Sequence, residues 1–369
     1  MPRVDCILPQ RSQYQVLHHF TQKVAEAFGR LGWEVRLLDA ENCITLCMQD
    51  PPDLMVGFNG APQVTDGLFL CDVIDVPHAA ILVDPPCYYL GLLDSFHMEI
   101  YCDDAANIDW LGQLGYEKAQ FLTQGVEPEL SYDNHAPRDL DVIFFASFFD
   151  VESAKEEWRR SFSGELCDLM EEAVQATLLD ESLTLSSAFE SRLQTQPELA
   201  QGIDIVKLYY LMSYVQKGIA RIQLLENIHA IPVHIWDRRW SDYFGDKNKN
   251  LIIHDAVDYQ TSLEITQRAK VVLCNSIRSV RGCNERVLNA LACGAVPFTN
   301  ANPYFREHFK DERDLIMYTH QDAIEKKIDR CLKDEEYRQS IVKAGRALVM
   351  SKHTWDQRIQ IIVQNHQNT

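Results

Sequence analysis

Short apolar segments alternate with helical patterns along most of this chain. The apolar residues 4–8 precede a segment in which apolar side chains recur at steps of three and four between Leu17 and Leu31, and a strand pattern, Glu34–Leu38, follows it. Apolar runs of this length indicate buried strands, and the three-to-four spacing indicates an amphipathic helix. Because alternating strands and helices pair in parallel through crossover helices, the sequence predicts an α/β fold with doubly wound, Rossmann-like sheets.

The length of the chain predicts two such sheets facing each other across a cleft. A chain of 369 residues exceeds one ordinary core and fits two. The polar residues 133–139 are the best linker, so we place an N-terminal domain at 1–136 and a second domain at 137–350. The second domain carries a helical insertion at about 153–228, whose part 180–202 has weak periodicity and predicts a mobile flap. Residues 351–369 are predicted to form a helix that returns to the first domain.

Charge and composition narrow the classes of partner. The formal net charge is -19, from 35 basic and 54 acidic side chains, which disfavours nucleic acid and anionic membrane surfaces as partners. No apolar stretch approaches the ~20 residues of a transmembrane helix, and no signal peptide pattern is present, so we predict a cytoplasmic protein. The 11 cysteines have no zinc-like spacing and predict buried free thiols, not a metal site. The oligomeric state stays open.

Residues 271–299 contain the most informative pattern for a binding site. A buried strand ends at Asn275 and Ser276, a loop containing Arg281 and Gly282 follows, and Asn284 is a suitable N-cap for the next helix. The N-terminus of a helix carries free N–H groups and a partial positive charge, so it favours phosphate oxygens. The segment therefore predicts a phosphate-binding loop.

The helix that follows carries three further candidates. Arg286 adds positive charge beside the predicted phosphates, and Arg278 lies in the preceding loop. Glu285 and Asn289 are four residues apart and share one helix face, where they can hold the two hydroxyls of a ribose. The alternative is that Glu285 only stabilises the helix dipole and Asn289 faces water.

The same segment resembles the donor-binding segment of glycosyltransferases with the GT-B fold. Residues 284–294 read NERVLNALACG, and the CgeB-like (spore maturation protein-like) branch of the group 1 glycosyltransferases tends to read Asn-x-Arg-Val/Thr-Phe-Glu-Ala-Leu-Ala-Cys-Gly. Asn289 stands where the family has a glutamate that contacts the ribose. An amide is a weaker acceptor than a carboxylate for such a hydroxyl.

The resemblance extends over about 138–310. Residues 139–147 resemble the strand and turn that open the second domain of the family, with Ser147 in the turn and Ala146 where glycine is usual. Trp236 lies in the stretch that resembles the next strand and its loop. Residues 254–259, with Asp258 and Tyr259, resemble the loop that reads the base of the nucleotide.

The first domain offers a candidate general base. Asp84 follows a predicted strand and precedes two prolines, like the Asp-x-Pro of CgeB-like proteins. A carboxylate at that position can accept the proton of an acceptor hydroxyl; the alternative is that it caps a turn. Weaker candidates are the loop 10–12 for the acceptor and the side chains of His19, His97, Tyr88 and Tyr89.

These features together predict a metal-independent glycosyltransferase. Its donor is expected to be a nucleotide diphosphate-sugar, with no other cofactor, and its acceptor a glycan, a lipid-linked molecule or a protein. A sugar-nucleotide epimerase or hydrolase is an alternative enzyme, because epimerases share this architecture. A non-catalytic binding or scaffold protein with the same fold is the alternative of another class.

Overall fold

The first domain is a six-stranded parallel sheet covered by helices. The computed structural model describes residues 1–368 apart from 131, 134, 135, 246 and 321. The strands of the first domain are β1 (Arg3–Ile7), β2 (Glu34–Leu38), β3 (Leu54–Phe58), β4 (Gln63–Thr65), β5 (Leu68–Phe69), β6 (His78–Leu82), β7 (Met98–Cys102) and β8 (Ala119–Phe121). Its helices are α1 (Val16–Arg30), α2 (Cys43–Gln49), α3 (Leu70–Ile74) and α4 (Ala105–Gln113), with 3-10 turns at Gln13–Gln15 and Pro86–Asp94.

The strand order of this sheet is β2-β1-β3-β6-β7-β8, and β4 and β5 form a separate small hairpin. In β1, Val4 pairs with Val35 of β2 on one side and with Leu54 of β3 on the other. This short strand therefore lies inside the sheet, and Val4 is fully buried. All six strands are parallel, so their carboxyl ends meet at one edge, where ligands bind in such sheets.

The second domain repeats this architecture. Its strands are β9 (Leu140–Phe144), β10 (Val233–Trp236), β11 (Leu251–His254), β12 (Ala269–Leu273), β13 (Val296–Asn300) and β14 (Ile316–Tyr318), in the parallel order β11-β10-β9-β12-β13-β14. The helices after β10 are α9 (Trp240–Phe244), α10 (Tyr259–Gln267), α11 (Glu285–Ala292), α12 (Pro303–His308), α13 (Ile324–Lys333), α14 (Glu335–Lys352) and α15 (Trp355–Asn368). The two facing parallel sheets confirm the predicted α/β fold class.

Four helices lie between β9 and β10. They are α5 (Val151–Ser161), α6 (Gly164–Leu179), α7 (Leu185–Leu193) and α8 (Ile205–Glu226), with a 3-10 turn at Pro197–Ala200. The prediction of a mobile flap over 180–202 is wrong for its centre, because Ala188 and Phe189 of α7 are fully buried in the domain core. Because α7 has only 9 residues, the periodicity of its apolar side chains is hard to detect in the sequence.

The last helix packs on the first domain. Trp355 at the start of α15 is buried beside Phe20 of α1, with 5.3 Å between the ring centroids. Arg30 of α1 forms an ion pair with Asp356, 2.6 Å long. The boundary at 136/137 adjoins residues 134 and 135, which lie outside the described residues, so that boundary stays a prediction.

Candidate functional site

A cleft of about 550 Å³ lies between the carboxyl ends of the two sheets. Eleven of the thirteen site residues proposed from the sequence line it. They are Asp84, Ser147, Trp236, Asp258, Tyr259, Asn275, Ser276, Asn284, Glu285, Arg286 and Asn289. The cleft therefore gathers loops that follow strands of both domains.

The N-terminus of α11 points into this cleft. The side chain of Asn284 is the N-cap, and its Oδ1 accepts the N–H of Arg286 at 2.9 Å. Asn300 Oδ1 at the end of β13 accepts the N–H of Ser276, which fixes the loop after β12. Four residues of α11 and its cap line the cleft, so the positive end of a helix dipole meets the cavity.

Four basic side chains of the second domain converge on the same cavity. Arg278 and Arg286 come from the segment after β12, whereas Lys217 and Arg221 come from α8 of the inserted helices. Burial, followed by repulsion from Arg278 and Arg221, lowers the pKa of Lys217 to about 8. Burial, followed by repulsion from Arg286 and Arg278, lowers the pKa of Arg221 to about 9. The free protein thus holds more positive charge here than its own carboxylates neutralise.

The two cations of α8 keep unused hydrogen-bonding capacity. Arg221 is 8% exposed; its Nη1 donates to the carbonyl oxygen of Ser147 at 2.6 Å, and its buried Nε has no partner among the described residues. Lys217 Nζ lies 5.1 Å from the centre of the Phe149 ring, and no ion pair joins it to a carboxylate in the part of the chain described. Sequence reasoning missed both residues, because on a long amphipathic helix they are indistinguishable from solvated side chains.

Asp84 is engaged by the second domain. Arg278 donates from Nη1 to Asp84 Oδ1 and from Nη2 to the carbonyl oxygen of Val83, each at 2.6 Å. Asn59 Nδ2 donates to the other carboxylate oxygen at 2.9 Å. Burial opposes charge on Arg278, but Asp84 and Asp103 outweigh it and raise the pKa of Arg278. Asp84 therefore lies in the cleft with both oxygens already accepting.

Asn289 is bonded to the residue predicted to lie near the base. Its Nδ2 donates to the hydroxyl of Tyr259 at 2.6 Å, and both side chains are buried. Burial raises the pKa of Tyr259 well above its ordinary value. Glu285, on the first turn of α11, accepts a 3.3 Å hydrogen bond from Arg286 Nε. The face of α11 predicted to hold a ribose does line the cleft, but one of the two amide N–H groups of Asn289 is already used.

An aromatic group closes the other end of the cleft. The Trp236 ring lies 4.7 Å from the ring of Phe145 and 4.7 Å from that of His254. His254 Nε2 is 2.9 Å from His234 Nδ1. Residues 256–258 form the neighbouring wall, so this end offers ring faces and backbone groups to a ligand.

The structure does not bring Arg281 and Gly282 to the cleft. Arg281 forms an ion pair with Asp109 and also donates to the carbonyl oxygen of Ala105, both on the first domain. Gly282 forms an isolated β-bridge with Asp104, and a Cβ there would overlap the carbonyl oxygen of Asp103. Arg281 and Gly282 therefore join the loop after β12 to the first domain. The sequence of the loop does not show this role, because the contacts depend on residues far away in the chain.

Some of the weaker candidates of the first domain line the cleft and others do not. Arg11 and Ser12 of the loop 10–12 line the cleft. His19 Nε2 is 2.6 Å from Glu127 Oε1, and His97 is 3.3 Å from Asp75, so each histidine has a carboxylate partner outside the cleft. Tyr88 lines a smaller neighbouring pocket. Within the described residues, no three His, Cys, Asp or Glu side chains group as metal ligands would.

The whole chain matches solved structures of the GT-B architecture. Sucrose-phosphate synthase from Thermosynechococcus elongatus aligns over 100% of this chain and 99% of its own, with 11% identity and a TM-score of 0.58. HepE from Anabaena, solved with UDP-glucose, aligns over 100% of both chains with 9% identity and a TM-score of 0.60. An α-glucosyltransferase solved with UDP and DNA gives 10% identity, 100% coverage of both chains and a TM-score of 0.60. At these identities the matches show the fold.

The second domain also matches a family by sequence. Residues 221–364 match the family model described as glycosyl transferase-like, a segment that begins on α8 and includes α11. None of the curated proteins compared with the chain matches it. The fold is therefore GT-B, and residues 221–364 are similar to the glycosyl transferase-like family. None of the helices described combines the length and apolar character needed to cross a bilayer.

Proposed function

We propose that this protein is a glycosyltransferase of the CgeB-like branch that takes a sugar from a nucleotide diphosphate-sugar. The observation that carries the proposal is the convergence of Lys217, Arg221, Arg278 and Arg286 with the N-terminus of α11 in one cleft. Burial, followed by repulsion from the neighbouring cations, lowers the pKa values of Lys217 and Arg221. A diphosphate relieves that repulsion, and it does so in a protein whose overall charge is -19.

The diphosphate is assigned to the cations and the nucleoside to the far end of the cleft. Arg221 offers its unpartnered Nε, and Arg286 lies on the first turn of α11. The ribose hydroxyls are assigned to Glu285 and to Oδ1 of Asn289, because Tyr259 already accepts one of the two amide N–H groups of Asn289. The base is assigned to the wall formed by residues 256–259 and Trp236.

The chemical step breaks the bond between the anomeric carbon and the diphosphate and forms a bond from that carbon to an acceptor oxygen. The acceptor proton passes to Asp84, and the charge that develops on the leaving diphosphate is stabilised by the four cations without a metal. Asp84 becomes available when Arg278 turns from it to the diphosphate. Asn59 then remains to orient the carboxylate.

The substrates are proposed from the same chemistry. HepE and the α-glucosyltransferase are solved with UDP or UDP-glucose, so a UDP-hexose is the first donor to test. The acceptor is a glycan, a lipid-linked molecule or a protein; the net charge of -19 disfavours nucleic acid, unlike the DNA in the α-glucosyltransferase complex. We place the reaction in the cytoplasm.

The test is thermal stabilisation by UDP, GDP, ADP, CMP and their common sugar conjugates. A ligand that binds only the folded state stabilises it by about 2.7 kcal/mol at a hundredfold excess over Kd. We expect one diphosphate to raise Tm and Arg286→Ala to abolish the shift. Arg160→Ala is the matched control, because Arg160 is an exposed arginine on α5 outside the cleft. No shift with any nucleotide at millimolar concentration overturns the proposal.

A non-catalytic binding protein is the second candidate. Two observations favour it: Asn289 stands where the family has a glutamate, and Asp84 is held in an ion pair. Both candidates bind the diphosphate, but only the enzyme releases it from the sugar conjugate. Release of free UDP from UDP-glucose, by transfer or by slow hydrolysis, therefore separates the two.

A further inference from the structure

A second pocket, of about 90 Å³, opens beside the donor cleft between the first domain and the inserted helices. The first domain contributes the turn after β6 and Trp110 of α4, and the second contributes α7 and Tyr209 of α8. Arg278 and Ile277 line both cavities. The pocket therefore adjoins the cleft at the Arg278–Asp84 pair, where the proposed reaction needs an acceptor hydroxyl.

Most polar side chains around this second pocket already have partners. The hydroxyl of Tyr209 donates to Glu190 at 2.5 Å, and Gln216 Nε2 donates to Thr177 at 2.8 Å. Asp104 accepts the N–H groups of three residues, Ala106, Val280 and Arg281. Arg278 is used by Asp84 and Val83, and Thr184 and Ser186 bond each other at 3.1 Å. What the pocket offers a ligand is mainly the surface of Pro85, Pro86, Tyr88, Trp110 and Leu185.

We propose that the second pocket binds an apolar group of the acceptor and so directs the acceptor hydroxyl to Asp84. This inference rests on the proposed transferase function. A cavity of about 150 Å³ accommodates benzene, so the smaller pocket suits a few carbons of an alkyl chain. A hexose brings hydroxyls that would find few unused partners here. Tyr210 is 58% exposed, and its ring lies 6.0 Å from that of Tyr88, so apolar surface continues outward from the pocket.

The experiment compares hexyl β-D-glucoside with methyl β-D-glucoside by calorimetry, with and without UDP. Because each buried methylene contributes about fourfold in Kd, we expect the hexyl compound to bind at least about tenfold more tightly. Asn107→Trp fills the pocket from α4, where the side chain is partly exposed, and should remove that preference. Asn107→Ala is the matched control and should keep it.

A second filling variant acts from the opposite wall. Ser186 on α7 also lines the pocket and is partly exposed. Ser186→Trp should therefore remove the hexyl preference, as Asn107→Trp should. Equal binding of the two glucosides to the unmodified protein overturns the proposal, as does a hexyl preference that survives both tryptophan variants. UDP binding is measured in every variant. Failure of the unmodified protein to bind any nucleotide of the panel defeats the transferase proposal, whereas nucleotide binding without a hexyl preference defeats only this one.

Discussion

Arg278 of the second domain and Asp84 of the first form an ion pair across the cleft, with 2.6 Å between Arg278 Nη1 and Asp84 Oδ1. The pair joins the loop after β12 to the turn after β6, and Asn59 supports the carboxylate from the neighbouring strand end. The candidate base and one candidate phosphate ligand are thus held together in this structure.

Asp84→Asn tests the role of this carboxylate. The amide keeps the size of the side chain but cannot take a proton, so we expect turnover of the sugar donor to fall by about 10² to 10⁴. The Kd of UDP should change less than about threefold, because Arg286, Arg221 and Lys217 remain. Steady-state turnover and calorimetry on the same protein measure the two effects. Unchanged turnover would assign Asp84 to holding Arg278 alone.

Lys217 predicts a pH dependence of diphosphate binding. Its pKa is about 8 in the free protein, and a bound diphosphate favours the charged form, so binding takes up a proton above that pH. We expect the Kd of UDP to rise by up to about tenfold per pH unit as pH increases from 8. Lys217→Met should bind UDP more weakly and lose this rise in Kd.

The same lysine predicts the sign of a stability change. The folded pKa of Lys217, about 8, lies below its ordinary value of 10.5, so the unfolded chain binds more protons between those two pH values. The contribution of Lys217 to the free energy of unfolding should therefore rise with pH from 8 to about 10.5 in the ligand-free protein. Denaturant unfolding of the wild type and of Lys217→Met isolates this contribution. The free energy of unfolding of the wild type, relative to that of Lys217→Met, should rise across that window. A constant difference would contradict the assignment.

Asn289→Glu tests whether this position faces a ribose. A carboxylate accepts the Tyr259 hydroxyl, which can donate, and keeps a charged oxygen for the ligand. We expect UDP to bind about threefold to tenfold more tightly, because charge-assisted hydrogen bonds are the stronger kind. Asn289→Gln, which is neutral and of the same length as glutamate, is the control. An unchanged or weaker affinity in Asn289→Glu would place the ribose elsewhere.

Gly282→Ala tests the contact between the domains. A Cβ at this position overlaps the backbone of Asp103, which cannot yield like a flexible side chain, so the loop must move off the first domain. We expect the free energy of unfolding to fall by about 2 kcal/mol or more. Gly112→Ala in α4 meets nothing within 4 Å and should be neutral or stabilising by up to about 1 kcal/mol. Equal effects of the two substitutions, measured by denaturant titration, would contradict this role.

The secondary structure around the cleft was largely predictable because its signals are local. β2 has the predicted bounds, and α11 begins at the predicted Glu285 after the predicted N-cap Asn284. In a parallel α/β sheet these loops must meet at one edge, so eleven of the thirteen proposed residues line one cleft. β14 was missed, because three residues give too short a pattern to detect.

Apolar spacing and an N-cap act over a few residues, so the α/β class, the two sheets and the helix end that faces the cleft are predictable from local patterns. Which cations meet there depends on how distant segments pack. Lys217 and Arg221 reach the cleft because α8 packs across the start of the second domain, about 60 residues from the segment with which they act. Arg281 and Gly282 contact the first domain and not the cleft. The sequence of one loop cannot predict this, because close packing between two domains depends on both surfaces at once.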